Sequence, residues 1–229
     1  MSIYNALSID NVSDTEIAGQ LPQLALDHSP GKKLRFDYQS LHTMDPFEEP
    51  TVLPNYYFVP GAKWTDVMIG EWLRKQAGLF VSPKLKKILE KHSIGRHAFY
   101  QVPVMHSHPE DSDETNEESE NEEVTHYFFL HLAFEQDENI DFEKSIIVNE
   151  IDEDETLGIT SIADIESEKK KFKFPLWKKV SFKKPLALFR LYNSTDIYLS
   201  PALADELEKE KITGIKLAPE YDGLEVESP

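Results

Sequence analysis

The stretch LFVSPKLKKILEK at residues 79–91 returns as IYLSPALADELEK at 197–209, and this repeat constrains the fold more than any other feature of the chain. In each copy a short β-prone apolar run, Leu79-Phe80-Val81 or Ile197-Tyr198-Leu199, leads into Ser-Pro and then into a helical pattern. Ser82 and Ser200 stand where an N-cap belongs, because a serine hydroxyl can accept from the unpaired backbone N–H groups of a first helical turn. Pro83 and Pro201 follow at the first helical position, where a missing N–H is harmless and the fixed φ already suits a helix. Leu85, Ile88 and Leu89 in one copy, and Leu203 and Leu207 in the other, form the apolar stripe of a helix lying on a sheet. Ala98 to Val104 and Ile215 to Pro219 then read as returning strands, so each copy predicts a strand–helix–strand unit.

These units predict an α+β fold: a mixed β-sheet with a few short helices, containing two related strand–Ser-Pro-helix–strand units. The whole chain, 1–229, reads as one domain or as two packed lobes, about 1–109 and 124–229. What separates the lobes is EDSDETNEESENEE at 110–123, with nine acidic residues and no basic or apolar one, a composition that cannot bury a core and predicts a loop. Residues 1–60 mix short apolar runs with prolines and predict short strands and turns. From Trp64, the segment WTDVMIGEWLRKQ predicts a helix capped by Thr65 or Asp66. HYFFLHLAF at 126–134 predicts a buried central strand, and SIIVNEI at 145–151 and PLALFRLYN at 185–193 predict further strands.

The charge balance narrows the partners. A formal net charge of -18 disfavours nucleic acid, whose binding depends on neutralising phosphates with Lys and Arg, and favours a basic protein partner. The one basic stretch, KKKFKFPLWKKVSFKK at 169–184, alternates Lys171 and Lys173 with Phe172 and Phe174 and predicts a half-exposed strand or hairpin with its lysines outward. The opening MSIYNALSID has neither a basic nor an apolar targeting region and no run is long enough to span a bilayer, so a cytoplasmic protein with no membrane partner is expected. The absence of cysteine excludes disulfides, thiolate catalysis and cysteine-ligated zinc.

Few residues of the sequence are arranged for chemistry. No Gly-x-Ser-x-Gly elbow surrounds Ser82 or Ser200, and capping already accounts for both. His106 and His108 share i, i+2 spacing but lack a third ligand at a clear distance, and His126 and His131 would point to opposite faces of one strand. IDEDETLG at 151–158 fails the calcium-loop pattern, since Leu157 stands where the turn glycine belongs. The expectation is a protein that is not an enzyme, with no catalytic residue, no cofactor and no metal. The candidate partner-binding residues are the acids Asp111, Asp113, Glu114, Glu117 and Glu118 of the loop, with Asp152 and Asp154 beyond it; Ser82, Pro83, Ser200 and Pro201 are structural caps.

The segment LFRLYNSTDIYLSPALADELEKEKITGIKLAPE at 188–220 resembles the end of a bacterial immunity-protein family found beside polymorphic and secretion-delivered toxins, often called the eleventh immunity class and first grouped as a domain of unknown function. The matching elements are Phe189-Arg190, the strand-Ser-helix around Ser200 and Thr213-Gly214-Ile215. Upstream, DVMIGEWLRKQAGLFVSPKLKKILE at 66–90, the strand ending at Pro103, the run at Tyr127 and IDFEKS at 140–145 are similar to the family's middle portion in the same order. The resemblance implies a cytosolic protein that protects a cell by binding and blocking a cognate toxin, an activity that needs no active site. Two readings of other classes stand beside it. A metal-assisted hydrolase reversing toxin damage would draw on His106, His108 and acidic neighbours, and a non-enzymatic adaptor would dock a basic partner through the acidic loop.

Overall fold

The computed structural model describes residues 2–9, 23–26, 55–59, 62–70, 78–106, 124–194, 196–218 and 224–228. They form an α+β fold with three short helices and fourteen strands in mixed sheets.

Six strands make the first sheet: β2 (Leu24–Leu26), β3 (Tyr56–Phe58), β4 (Val67–Met68), β5 (Gly78–Val81), β6 (His97–Met105) and β7 (Val124–Leu132), in the order β2-β3-β6-β7-β5-β4. Its two outer strands meet. A bridge joins Leu24 to Gly70, and the amides of Gln23 and Leu24 both donate to the Ile69 carbonyl, at 2.9 and 3.1 Å, so the sheet curls into a closed barrel. Alternate side chains of every strand fill it: Leu24, Leu26, Tyr56, Met68, Phe80, Val102, Val104, Tyr127 and Phe129. Gly70 is glycine for a steric reason, since a Cβ there would lie 2.3 Å from the ring of Phe80.

The opposite face of β5 and β7 belongs to a second core. Leu79, Val81, Leu130 and Leu132 pack there with α1 (Pro83–Leu89), α3 (Pro201–Lys209) and part of the second sheet. That sheet runs β11 (Leu188–Arg190), β12 (Ile197–Leu199), β1 (Ser2–Ile9), β14 (Leu224–Glu227), β10 (Pro175–Ser181), β8 (Ile146–Asn149), β9 (Asp152–Thr156), with β13 (Ile215–Ala218) also on β1. A third core under it gathers Tyr4, Ile147, Ile165, Trp177, Phe182, Phe189 and Leu191.

The sequence repeat is a structural repeat. In both copies the strand after the helix runs parallel to the strand before it, with an antiparallel strand inserted between: β7 between β5 and β6, and β1 between β12 and β13. The strand upstream of each copy pairs at the equivalent residue, Val67 with Val81 and Leu188 with Leu199. Ser82 accepts from the Leu85 amide at 3.1 Å and Ser200 from the Leu203 amide at 3.2 Å, each followed by proline in the first turn. The copies also clasp one another. The turn after α1 bonds the strand opening the second copy (Ala187 N to Ser93 O, 2.6 Å; Gly95 N to Leu188 O, 2.7 Å), and the turn after α3 bonds the strand opening the first (Val67 N to Thr213 O, 3.1 Å). The inserted strand β1 comes from the opposite end of the chain to the repeat it completes, and the sheets do not part at residues 110–123: β7, which follows them, belongs to the barrel.

Two local expectations are corrected. The segment from Trp64 does not begin a helix: Val67 and Met68 form β4, Val67 facing the shared core and Met68 the barrel, as period-two side chains do. The hydroxyl of Thr65 donates to Val67 O, and the Asp66 carboxylate accepts from Ser82 and Thr213, so neither serves as an N-cap. The alternation Lys171-Phe172-Lys173-Phe174 is not a strand either. Helix α2 (Ile162–Lys170), capped by Ser161, ends just before these residues, which form the turn after it, and the strand of this basic stretch, β10, begins only at Pro175. Of the short apolar runs expected within 1–60, Leu34 to Tyr38 lies outside the described residues.

Candidate partner-binding surface

The end of α2 sets the first part of the surface. The Phe172 amide donates to Lys169 O at 3.0 Å and the Lys173 amide to Glu168 O at 3.2 Å, the double closure of a Schellman motif, which places Phe172 at the left-handed position with φ 60°. Glycine is the ordinary occupant there, and any Cβ costs about 1–2 kcal/mol. Helix α3 ends in the same motif with Lys211 at φ 53°, a long polar side chain in water. Phe172 instead holds a phenyl ring 86% exposed. Among the described residues nothing in the packing offsets either the backbone strain or the exposed ring.

Beside it stands the tip of the β8–β9 hairpin. Asn149 and Asp152 pair across a turn of Glu150 and Ile151, and Ile151 is 73% exposed where turn chemistry favours small polar residues. Asn149, itself buried, ties the two pieces together: its Oδ1 accepts from the Phe174 amide at 3.2 Å, its Nδ2 donates to Glu155 at 3.0 Å, and the Glu150 amide donates to Phe174 O at 2.8 Å. Lys173 in turn reaches Glu155 and, at 4.0 Å, Glu168. The Lys173 ammonium, with Asn149 second, holds the Glu155 carboxyl below its ordinary value. Phe172, Ile151 and the half-exposed Phe174 are therefore displayed on a platform fixed by backbone and side-chain bonds rather than on a free loop.

Charge surrounds the three apolar side chains unevenly. Glu153 pairs with Lys178 at 2.7 Å, Glu166 with Lys169 at 2.8 Å and Glu168 with Lys171 at 2.7 Å. Glu150, Asp152 and Asp154 remain without an ion pair among the described residues, as does Lys170. Asp152 and Asp154, candidates from the sequence, thus lie on the exposed edge strand β9 next to this platform. Asp111, Asp113, Glu114, Glu117 and Glu118 lie outside the described residues, in the connection that joins β6 to β7 beyond the pair Met105–Val124. The aromatic residues Phe172 and Phe174 were legible only as part of a basic run; the serine at 161 followed by Asp164, a capping signal, marks the helix that turns them outward.

Other polar groups sit in the framework. His131 is buried in the barrel wall and His126 is exposed on the opposite face of the same strand, while His106 bonds the Thr125 hydroxyl at 2.7 Å. Among the described residues no three His, Asp or Glu side chains converge as a metal site. A groove of about 470 Å³ runs past Tyr4, His92, Ser200 and Pro201 at the start of α3, next to the His92–Glu206 contact of 2.7 Å that links the turn after α1 to α3. Glu135, which closes the apolar run of β7, is fully buried; burial pushes its carboxyl up, against the bonds it accepts from Arg96 N (2.7 Å) and Asn139 Nδ2 (2.8 Å). A Cβ on Gly95 would fall 2.0 Å from that carboxylate, so the glycine makes room for it. Arg190 is buried across the same junction, its guanidinium 4.4 Å from the Phe134 ring centroid and bonded to Leu132 O at 3.2 Å. These groups join the two sheets.

No described helix is long and apolar enough to cross a membrane. No protein-family model matches the chain, and no curated protein matches it in sequence.

Proposed function

We propose that this is a cytoplasmic immunity protein that binds and blocks a cognate bacterial toxin, of the kind delivered in bacterial competition by type VI secretion or as a polymorphic toxin, and that it does so without catalysis. The observation that carries the reading is the rigid platform at the end of α2, where an aromatic side chain is exposed in a strained backbone position that folding alone would give to glycine. Rigid display reduces the ordering cost of association, and aromatic anchors dominate the energetics of protein interfaces. The acidic balance of the chain suits a basic partner, because complementary potentials accelerate encounter. The resemblance of residues 66–90 and 188–220 to toxin-neutralising proteins supplies the class of that partner.

The test is co-expression with the toxin encoded beside its gene. A stable complex on gel filtration, together with rescue of intoxicated cells, is expected. Absence of both refutes the proposal. An association rate that falls steeply with added salt is expected if acidic steering contributes.

A further inference from the structure

We infer that Phe172, flanked by Phe174 and Ile151, is the anchor of the toxin contact, and that it enters an apolar pocket whose rim carries basic side chains facing Glu150, Asp152 and Asp154. This rests on the toxin-binding reading above and adds to it the surface, the anchor and the chemistry of the partner's site.

Single exposed apolar side chains are ordinary; three on one braced platform are not. Ile151 and Phe174 are joined through Asn149, whose carbonyl accepts from both their amides, at 3.5 and 3.2 Å, and Phe172 stands two residues from Phe174 on the same closed turn. Two of the three occupy positions whose backbone chemistry favours other residues: Phe172 at φ 60° and Ile151 in a two-residue turn. A position that sacrifices local stability without a packing return is one where function sets the residue.

The rim identifies the occupant. Glu150, Asp152 and Asp154 present carboxylates without ion pairs among the described residues, against the one unpaired Lys170 nearby, while Lys169, Lys171, Lys173 and Lys178 are engaged by glutamates of this chain. A phosphate backbone or an anionic bilayer would be repelled by those acids. A second copy of the chain would bring the same acids against themselves across a two-fold contact, on a molecule of net charge -18. A cationic protein cleft with an apolar floor meets both the ring and its surroundings.

Titration calorimetry of the purified toxin against wild type, Phe172→Gly, Phe172→Asn and Phe172→Trp, with a urea unfolding curve for each, tests this. Both Gly and Asn accept the left-handed backbone, so these variants fold. We expect each to weaken binding at least about ten-fold, equivalent to about 1.4 kcal/mol, with a urea midpoint equal to or above wild type, whereas Phe172→Trp retains most of the affinity. Asp152→Lys with Asp154→Lys is expected to slow association and to flatten its salt dependence. If wild type binds the toxin and Phe172→Gly, Phe174→Ser and Ile151→Ser all bind within about two-fold of it, the surface is wrong and the proposed function stands. If wild type does not bind, the proposed function fails and this inference with it. Self-association or vesicle binding that disappears in Phe172→Gly would also overturn it by naming a different occupant.

Discussion

The two Ser-Pro caps are equivalent in backbone geometry but not in their neighbours, and removing each hydroxyl separates the two roles. Ser200→Ala deletes one capping bond, to the Leu203 amide, and should destabilise by about 1 kcal/mol. Ser82→Ala deletes the matching bond to Leu85 and also the hydrogen bond that the Ser82 hydroxyl donates to Asp66 at 2.6 Å. That carboxylate also accepts from the Thr213 amide at 3.1 Å and hydroxyl at 3.2 Å, so Ser82 holds one corner of the clasp between the repeats. Hydrogen bonds to charged groups contribute about 1.5–3 kcal/mol when buried. Asp66 is half-exposed and water can replace part of the loss, which leaves about 1 kcal/mol beyond the cap. Ser82→Ala should therefore cost about 2 kcal/mol, or twice the loss at Ser200, with midpoint shifts of about 2–4 °C per kcal/mol in a chain of this size. Aspartate sharpens the contrast, since it caps as well as serine: Ser200→Asp should approach wild type, whereas Ser82→Asp sets two carboxylates together and should fall below Ser82→Ala. Urea unfolding of the four variants decides the matter. Equal losses at the two sites, or rescue by Ser82→Asp, would refute the clasp.

Four other outcomes follow from the fold. Gly78→Ala would drive a Cβ to 2.0 Å from Leu130 O across the β5–β7 ladder; because backbone must give way, a loss of about 3 kcal/mol or more is expected in urea unfolding, while Gly158→Ala, with open space around it, should be neutral. Stability should fall as pH drops through the carboxylate range, because Asp141, Asp164, Glu155, Glu206 and Glu227 have folded pKa values below their unfolded ones, and what they contribute above the unfolded value is lost on protonation. Glu135 runs the other way: its raised folded pKa means stability decreases as pH rises from the ordinary glutamate value through the folded one, and Glu135→Gln should abolish only that limb of the unfolding-versus-pH curve. Asn149→Ala strips the platform of its shared acceptor and should accelerate amide exchange at Phe174 and Ile151 by native-state hydrogen exchange, with global stability changed less than by Gly78→Ala.

The repeat was legible because several levels agree on it: β-prone run, cap, first-turn proline and apolar stripe all start the same helix in both copies. What the repeat did not reveal is where its missing strand comes from. β1 is separated from β12 by nearly the whole chain, and no local pattern in SIYNALSI names its partners. The helix expected from Trp64 failed because Val67 and Met68 are apolar on both sides of a strand that lies between two cores, and a strand buried on two faces has no period to read. Phe172 was hidden for a related reason. Its meaning depends on a left-handed turn after α2, and Lys-Phe alternation suggests a strand until the cap at Ser161 is recognised.

The place of β1 carries a consequence for how the molecule is made. A ribosome releases this strand before the barrel strands β2 to β7 and well before its partners β12, β13 and β14, so β1 must wait unpaired while the barrel strands, neighbours in the chain, are synthesised. Local pairings close sooner than distant ones, because the entropy of joining chain ends grows with the length between them. The barrel is thus the first body to assemble, and its outer face, Leu79, Val81, Leu130 and Leu132, is the template against which the second copy and the waiting strand lock. The clasp between the repeats can form only after the second copy has been made, and cutting the chain between them would leave the second copy without the strand at its centre.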